Sequence, residues 1–250
     1  MTAPASLSGG AIGTWIKLPA LESVQITADA GFEFVVIDQE HAPLDVRTVY
    51  ELVTVAAALG VAPLVRVADD RASGIQRLLD AGAAGVLVPH VDTVEQAHNV
   101  GVATRFPPHG KRGAGGTSRA GRWGLHSRDD YLATAERALC VPQIESREAV
   151  GNAAAIAAVD GVDALFVGAA DIGLDVGAAP SSNEVTDLCT SVLHAAHDVG
   201  KPCGAATATS TGATGLLAAG FDFVVVGNDT SMLAGAAHAV VEATRSGGST

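Results

Sequence analysis

Several charged side chains in this 250-residue sequence stand where apolar runs stop, and their types would suit acid–base and metal-assisted chemistry. Val36-Ile37 leads into Asp38-Gln39-Glu40-His41, two carboxylates and an imidazole together. Imidazole ordinarily titrates near neutrality, which makes His41 the natural general base of the group. Arg66 interrupts Leu64-Val65-Arg66-Val67. A guanidinium in such a strand needs a partner, because burying it unpaired is costly. Asp38 or Glu40 would make it a structural ion pair; a substrate carboxylate or enolate oxygen would make it functional. Two further runs end in Gln143-Ile144-Glu145 and in Gly168-Ala169-Ala170-Asp171. Carboxylates on neighbouring strand ends repel unless one is protonated or a cation lies between them. Two oxygen ligands with open positions suit Mg²⁺ or Mn²⁺. Gly168 permits close backbone approach, and free amides from 168 to 171 could bind a carboxylate. For each acid taken singly, capping of the following helix is the plain alternative.

The elements that must position these groups alternate along the whole chain, short apolar runs with longer amphipathic stretches, as in repeated βα units. Strands are predicted near 11–16, 34–38, 63–67, 85–89, 139–143, 164–167, 203–205 and 221–226. Helices are predicted near 19–30, 45–59, 72–81, 93–104, 129–137, 146–158 and 183–199, with a last one reaching about 244. Asp45 is available as an N-cap, and Gly31, Gly82 and Gly220 supply the left-handed residue where helices return to strands. The longest irregular segment runs from Phe106 to Ser127. Eight units predict an α/β fold, a (β/α)₈ TIM barrel in a single domain over 1–250, with its active site at the C-terminal strand ends. A doubly wound open sheet is the competing architecture. Against it, Gly13-Thr14-Trp15 stands in the first strand and no GxGxxG follows.

Composition narrows the class further. Hydrophobic residues make up 48%, enough for one substantial core, and aromatics only 4%. Fifteen basic against twenty-seven acidic residues give a charge of -12, which disfavours nucleic acid and anionic membranes as partners. Cys140, Cys189 and Cys203 are too scattered for a disulfide framework or a CxxC site. With no signal-peptide pattern in MTAPASLSGG and no run long enough to span a membrane, a soluble cytoplasmic protein is expected.

Ile37-Asp38-Gln39-Glu40-His41-Ala42-Pro43, Val65-Arg66, Arg105-Phe106-Pro107-Pro108-His109-Gly110, Gln143-Ile144-Glu145 and Phe166-Val167-Gly168-Ala169-Ala170-Asp171 occur in order. Together they resemble the HpcH/HpaI aldolase family, the class II pyruvate aldolases, from about Gly13 to Val240. The resemblance implies reversible cleavage of a 4-hydroxy-2-oxo acid to pyruvate, or hydroxypyruvate, and an aldehyde through an enolate. It implies a divalent cation (Mg²⁺, Mn²⁺ or Co²⁺) on Glu145 and Asp171, and an oxo acid held by Arg66, Gln143, Gly168, Ala170 and Asp171. It also implies an acid–base dyad of His41 and Asp80, and a homotrimer or homohexamer that exchanges its last helix. The chain departs from the family pattern at Gln39, His90, Ala169 and Gly173, positions that border the inferred site. Lys17, Lys111 and Lys201, the only lysines, offer no obvious Schiff-base amine.

Other signals compete. The glycine-rich basic stretch from Gly110 to Arg122 could cradle an acid group or form a subunit contact, but does not match a P-loop. His90, His109 and His126 lack metal-site spacing and are expected at the surface or an interface. A lyase for acyl-CoA thioesters and a catalytically silent barrel with a binding or regulatory role remain the alternative functions.

Overall fold

The computed structural model describes residues 7–247. The reading of the first six residues as part of a leaderless start, and residues 248–250 of the expected domain, lie outside that range. Eight parallel strands close into one barrel in sequence order: β1 Ala11–Ile16, β2 Phe34–Asp38, β3 Ala62–Arg66, β4 Gly85–Val88, β5 Leu139–Ile144, β6 Leu165–Val167, β7 Cys203–Thr207 and β8 Phe223–Asn228. The open-sheet alternative is thereby excluded. Helices α1 Leu21–Asp29, α2 Val46–Ala58, α3 Ala72–Asp80, α4 Val94–Thr104, α5 Arg128–Ala135, α6 Arg147–Ala157, α7 Ala169–Val176, α8 Asn183–Asp198, α9 Ser210–Ala218 and α10 Asp229–Gly247 surround it. Two of these escape the periodicity reading: α7, which starts directly after Gly168, and α9, rich in Gly and Thr.

Side-chain alternation along each strand sorts the core into two shells. Val35, Ile37, Val65, Val86 and Ile144 pack outward under the helices, while Trp15, Phe34, Val36, Leu64, Val141, Phe166 and Phe223 fill the barrel. Inside, Phe34 and Phe223 meet edge to face at 6.0 Å, and Trp15 meets Phe166 at 5.9 Å. Gly13 and Gly204 make room for these rings, since a Cβ there would lie 2.3 Å from Phe34 and 2.2 Å from Phe223. The same period of two aims the polar residues. Asp38 follows inward Val36, Arg66 follows Leu64, and Gln143 and Glu145 follow Val141, so all four side chains turn into the mouth.

Local chemistry fixes the helix starts. The Asp45 side chain accepts the Thr48 amide, as expected of an N-cap, and Thr93 with Gln96 forms a capping box on α4. Gly31, Gly82 and Gly220 carry φ of +94°, +95° and +102°, the left-handed helix exits anticipated for them. Among the described residues, no helix is long and apolar enough to cross a membrane.

Candidate active site

At the C-terminal ends of β2 and β3 a buried fork forms. Arg66 Nε donates to Asp38 Oδ1 at 2.9 Å and Nη2 to Oδ2 at 2.7 Å, while Lys17 Nζ, just past β1, lies 3.0 Å from Oδ2. The Glu40 and His41 amides donate to the same carboxylate at 3.1 and 3.2 Å. Burial alone would raise the Asp38 carboxyl; the Arg66 bond and charge, with Lys17 and the His41 amide, outweigh it and hold the group below its ordinary range. The Arg66 guanidinium also sits 4.3 Å from the Trp15 ring centroid, which shields it from one side. The expected partners Asp38 and Glu40 are therefore both present. The capping alternative fails for these two acids, whereas Arg66 keeps unused N–H groups on its Nη1 side. Nη1 lies 2.9 Å from Glu40 Oε2, yet that oxygen is out of hydrogen-bonding alignment.

Carboxylates gather beside this fork. Glu145 is 4% exposed; its Oε2 accepts from Gln143 Nε2, and Oε1 accepts the His90 amide at 2.6 Å. Burial pushes the Glu145 carboxyl up, the His90 amide and ring oppose it, and the charges of Glu40 and Asp171 push it up again. Asp171, in the first turn of α7, makes no hydrogen bond or ion pair with another described residue, so its carboxylate is unspoken for. Gln143 Oε1 is buried with no partner at all. Gly168 lets this cluster close, because a Cβ there would stand 2.8 Å from Glu145 Cβ. Ala169, Ala170 and Asp171 follow as the first turn of α7, whose N-terminus stands at the C-terminal end of β6, and helix N-termini are places that receive anions.

Converging carboxylates, an orphaned carbonyl oxygen and a raised carboxyl pKa are the chemistry of a hard divalent cation site, so the residues fit the metal that the resemblance implied. The compact donor set differs in one respect from expectation. Glu40, His90 and Glu145 place ligand atoms within 4.8 Å of one another, and Asp171 stands outside that group. His90 is exposed, as a surface position was expected to be, but its ring stands against the carboxylate cluster rather than away from it. The signal was present, since it follows the β4 run as Glu145 follows β5, but a single imidazole after Pro89 does not announce its neighbours.

His41 stands at the rim with a side chain 59% exposed, its Nε2 3.7 Å from Glu40 Oε2. Asp80 does not join it. Asp80 ends α3, and that helix returns to the N-terminal end of β4, so within one chain the two residues occupy opposite ends of the barrel. There Asp80 accepts Arg112 Nη2 at 2.8 Å. Beside that pair a hollow of about 630 Å³ opens, lined by Arg112, Arg119, Arg122, Arg137, His126 and Trp123. The basic loop therefore faces away from the carboxylate cluster of its own chain.

Comparison with known proteins gives the family and agrees with the barrel fold. The family model for HpcH/HpaI aldolase/citrate lyase matches residues 11–236. A hydroxypyruvate/pyruvate aldolase from Chromohalobacter salexigens is 41% identical over 233 residues, covering 92% of this chain and 91% of that one. A 4-hydroxy-2-oxo-heptane-1,7-dioate aldolase from Salmonella dublin is 40% identical, covering 92% and 88%. An HpcH/HpaI aldolase/citrate lyase family structure from Burkholderia cenocepacia superposes with a TM-score of 0.89 at 31% identity, covering 97% of this chain and 96% of that chain.

Proposed function

Because the chain belongs to the HpcH/HpaI aldolase/citrate lyase family, it is a class II aldolase, and we propose how its barrel mouth carries the reaction. It is a carbon–carbon lyase that cleaves a 4-hydroxy-2-oxo acid reversibly to pyruvate and an aldehyde. Hydroxypyruvate is a second donor in this reading, by likeness to the Chromohalobacter relative. Glu145 and Asp171 hold the divalent cation, Mg²⁺, Mn²⁺ or Co²⁺. When bound, the cation supplies Lewis acidity that polarises the 2-oxo group and eases formation of the enolate.

The chain's own groups do the rest. Arg66, locked by Asp38, turns its Nη1 edge to the oxo-acid oxygen on which enolate charge develops; a preorganised donor in a dry site is worth far more there than in water. The α7 amides at Ala170 and Asp171 take the carboxylate, Gln143, its Nε2 given to Glu145, packs beside it, and Gly168 leaves the space. His41, exposed at the rim, takes the proton from the 4-hydroxyl as the carbon–carbon bond breaks, and the enolate so formed takes a proton from water at the carbon that becomes the pyruvate methyl; condensation runs both transfers in reverse. A dyad of His41 with Asp80 would have to form between two chains, in a homotrimer or homohexamer. Exposed Met232, Leu233, Val240 and Val241 on α10 support such an assembly. Three unpaired buried cysteines suit a reducing cytoplasm.

The convergence of Glu145 with two other carboxylates beside a buried Arg66–Asp38 fork carries this reading. It is tested by pyruvate release from a 4-hydroxy-2-oxo acid before and after chelation, with Mn²⁺ restoration and Glu145→Ala beside wild type. Cleavage that survives chelation would sink it. Activity only on an acyl-CoA thioester would move the chain to the related lyases.

A further inference from the structure

His90 has features that a hydrogen-bonding bystander would not need. Its backbone is left-handed, with φ of +55°, a conformation uncommon for a residue with a side chain and one that clusters at functional sites. That backbone is pinned from both sides: the His90 amide donates to Glu145, and the His90 carbonyl accepts Gln96 Nε2 at 3.1 Å. Gln96 is itself fixed as the third residue of the α4 capping box, and Ser146 and Asn152 tie neighbouring Asp92 to α6. The ring, although 70% exposed, is thus held in one place beside Glu145.

Both ring nitrogens face carboxylates. Nδ1 lies 2.8 Å from Glu145 Oε1 and Nε2 lies 3.2 Å from Glu40 Oε1. Each ring nitrogen is a potential metal-ligating atom, and one of them joins a carboxylate oxygen from Glu40 and one from Glu145 in a set whose atoms all lie within 4.8 Å of one another. A divalent cation at the centre of that set would be held by one nitrogen and two oxygens. The spacing suits one, since ligands at ~2.1 Å in near-octahedral geometry lie ~3 Å apart along an edge.

We propose that His90 is a nitrogen ligand of the cation held at Glu145, and that it biases the site toward Mn²⁺ or Co²⁺ over Mg²⁺. The inference rests on the metal-dependent reading above and adds to it a donor of different softness. Oxygen-only sites suit Mg²⁺, whereas imidazole favours the later first-row ions. Glu40, held between Arg66 and His90, positions the ring from its far side.

The test uses chelator-stripped full-length protein, reloaded with Mn²⁺ for pulsed electron paramagnetic resonance and titrated calorimetrically with Mn²⁺ and Mg²⁺. Wild type is expected to show ¹⁴N coupling to Mn²⁺, and His90→Leu to lose it. The Mn²⁺-to-Mg²⁺ affinity ratio should fall at least about tenfold in the variant. Because leucine strains a left-handed backbone, His90→Asn, which tolerates it, is run in parallel and should likewise lose the imidazole coupling. Wild type that binds Mn²⁺ through Glu145 without ¹⁴N coupling, or an affinity ratio unchanged in both variants, overturns the ligand role while leaving the aldolase reading intact. Failure of wild type to bind Mn²⁺, or equal binding by Glu145→Ala, defeats the metal reading itself.

Discussion

Two arginine–aspartate forks brace opposite ends of this barrel, and only one of them has capacity to spare. At the N-terminal end Arg105 closes α4, giving Nη2 to both oxygens of Asp163 at 2.8 and 2.7 Å and Nη1 to Thr104 and to the Ala138 carbonyl. Asp163 in turn accepts the Cys140 amide. Nearly every donor meets a fixed protein acceptor, so this fork works as a clasp between α4, β5 and β6. At the C-terminal end Arg66 pairs with Asp38 through two nitrogens, Nε and Nη2, but its remaining edge faces Glu40 out of alignment, beside carboxylates that repel one another. Similar ion pairs therefore serve different ends, and what separates them is how completely the surrounding groups are satisfied.

The sharpest way to break the comparison is at the carboxylates that make the mouth unsatisfied. Glu145→Ala should lower kcat for aldol cleavage by on the order of a thousandfold or more. Calorimetry should show Mn²⁺ binding lost, with the melting temperature little changed. Next come the arginines. Arg66→Lys should reduce kcat/KM by about 10²–10³, since a point charge cannot reproduce a fork aimed at a developing oxyanion. Asp163→Asn should instead leave kcat/KM of the folded enzyme near wild type while costing about 3 kcal/mol in urea unfolding. Equal losses of activity from both would erase the distinction.

A smaller effect is expected at Gly168→Ala. The added methyl presses on Glu145 and should cost about 1–3 kcal/mol, divided between a rise in KM for the oxo acid and a lower unfolding midpoint. The smallest concerns acid. Asp38 titrates below its ordinary value of 3.8, so its contribution to stability is complete above that value and drains away as pH falls through the folded one. Unfolding free energy followed from pH 5 downward should lose that stretch of pH dependence in Asp38→Asn.

Much of this arrangement was legible in the chain. Strand boundaries followed from apolar runs within a residue or two, because β1 Ala11–Ile16 and β2 Phe34–Asp38 end at abrupt changes of polarity. The rule that polar residues at strand ends make the site singled out His41, Arg66, Glu145 and Asp171, and all four lie at the C-terminal end of the barrel. It did not find His90 or weigh Glu40 beyond an ion pair, because which strand ends touch depends on barrel register and not on spacing along one strand. Asp80 was drawn to His41 only by resemblance, and α3 sends it to the other end, where Arg112 takes it. The helix α9 Ser210–Ala218 went unread because Gly and Thr carry weak helical preference, and packing against β7 and β8 decides the matter.

The rings that fill the barrel below the site give it one further property. Trp15, Phe166, Phe223 and Phe34 make a solid floor, with Gly13 and Gly204 leaving them no gap, so nothing passes through the barrel to the far end. Traffic is then single-file through one door. With the oxo acid seated as proposed against Arg66 and the α7 amides, it should arrive first in condensation and depart last in cleavage, the aldehyde coming and going over it. Product-inhibition patterns should carry that order, with pyruvate competing against the aldol substrate and the aldehyde not.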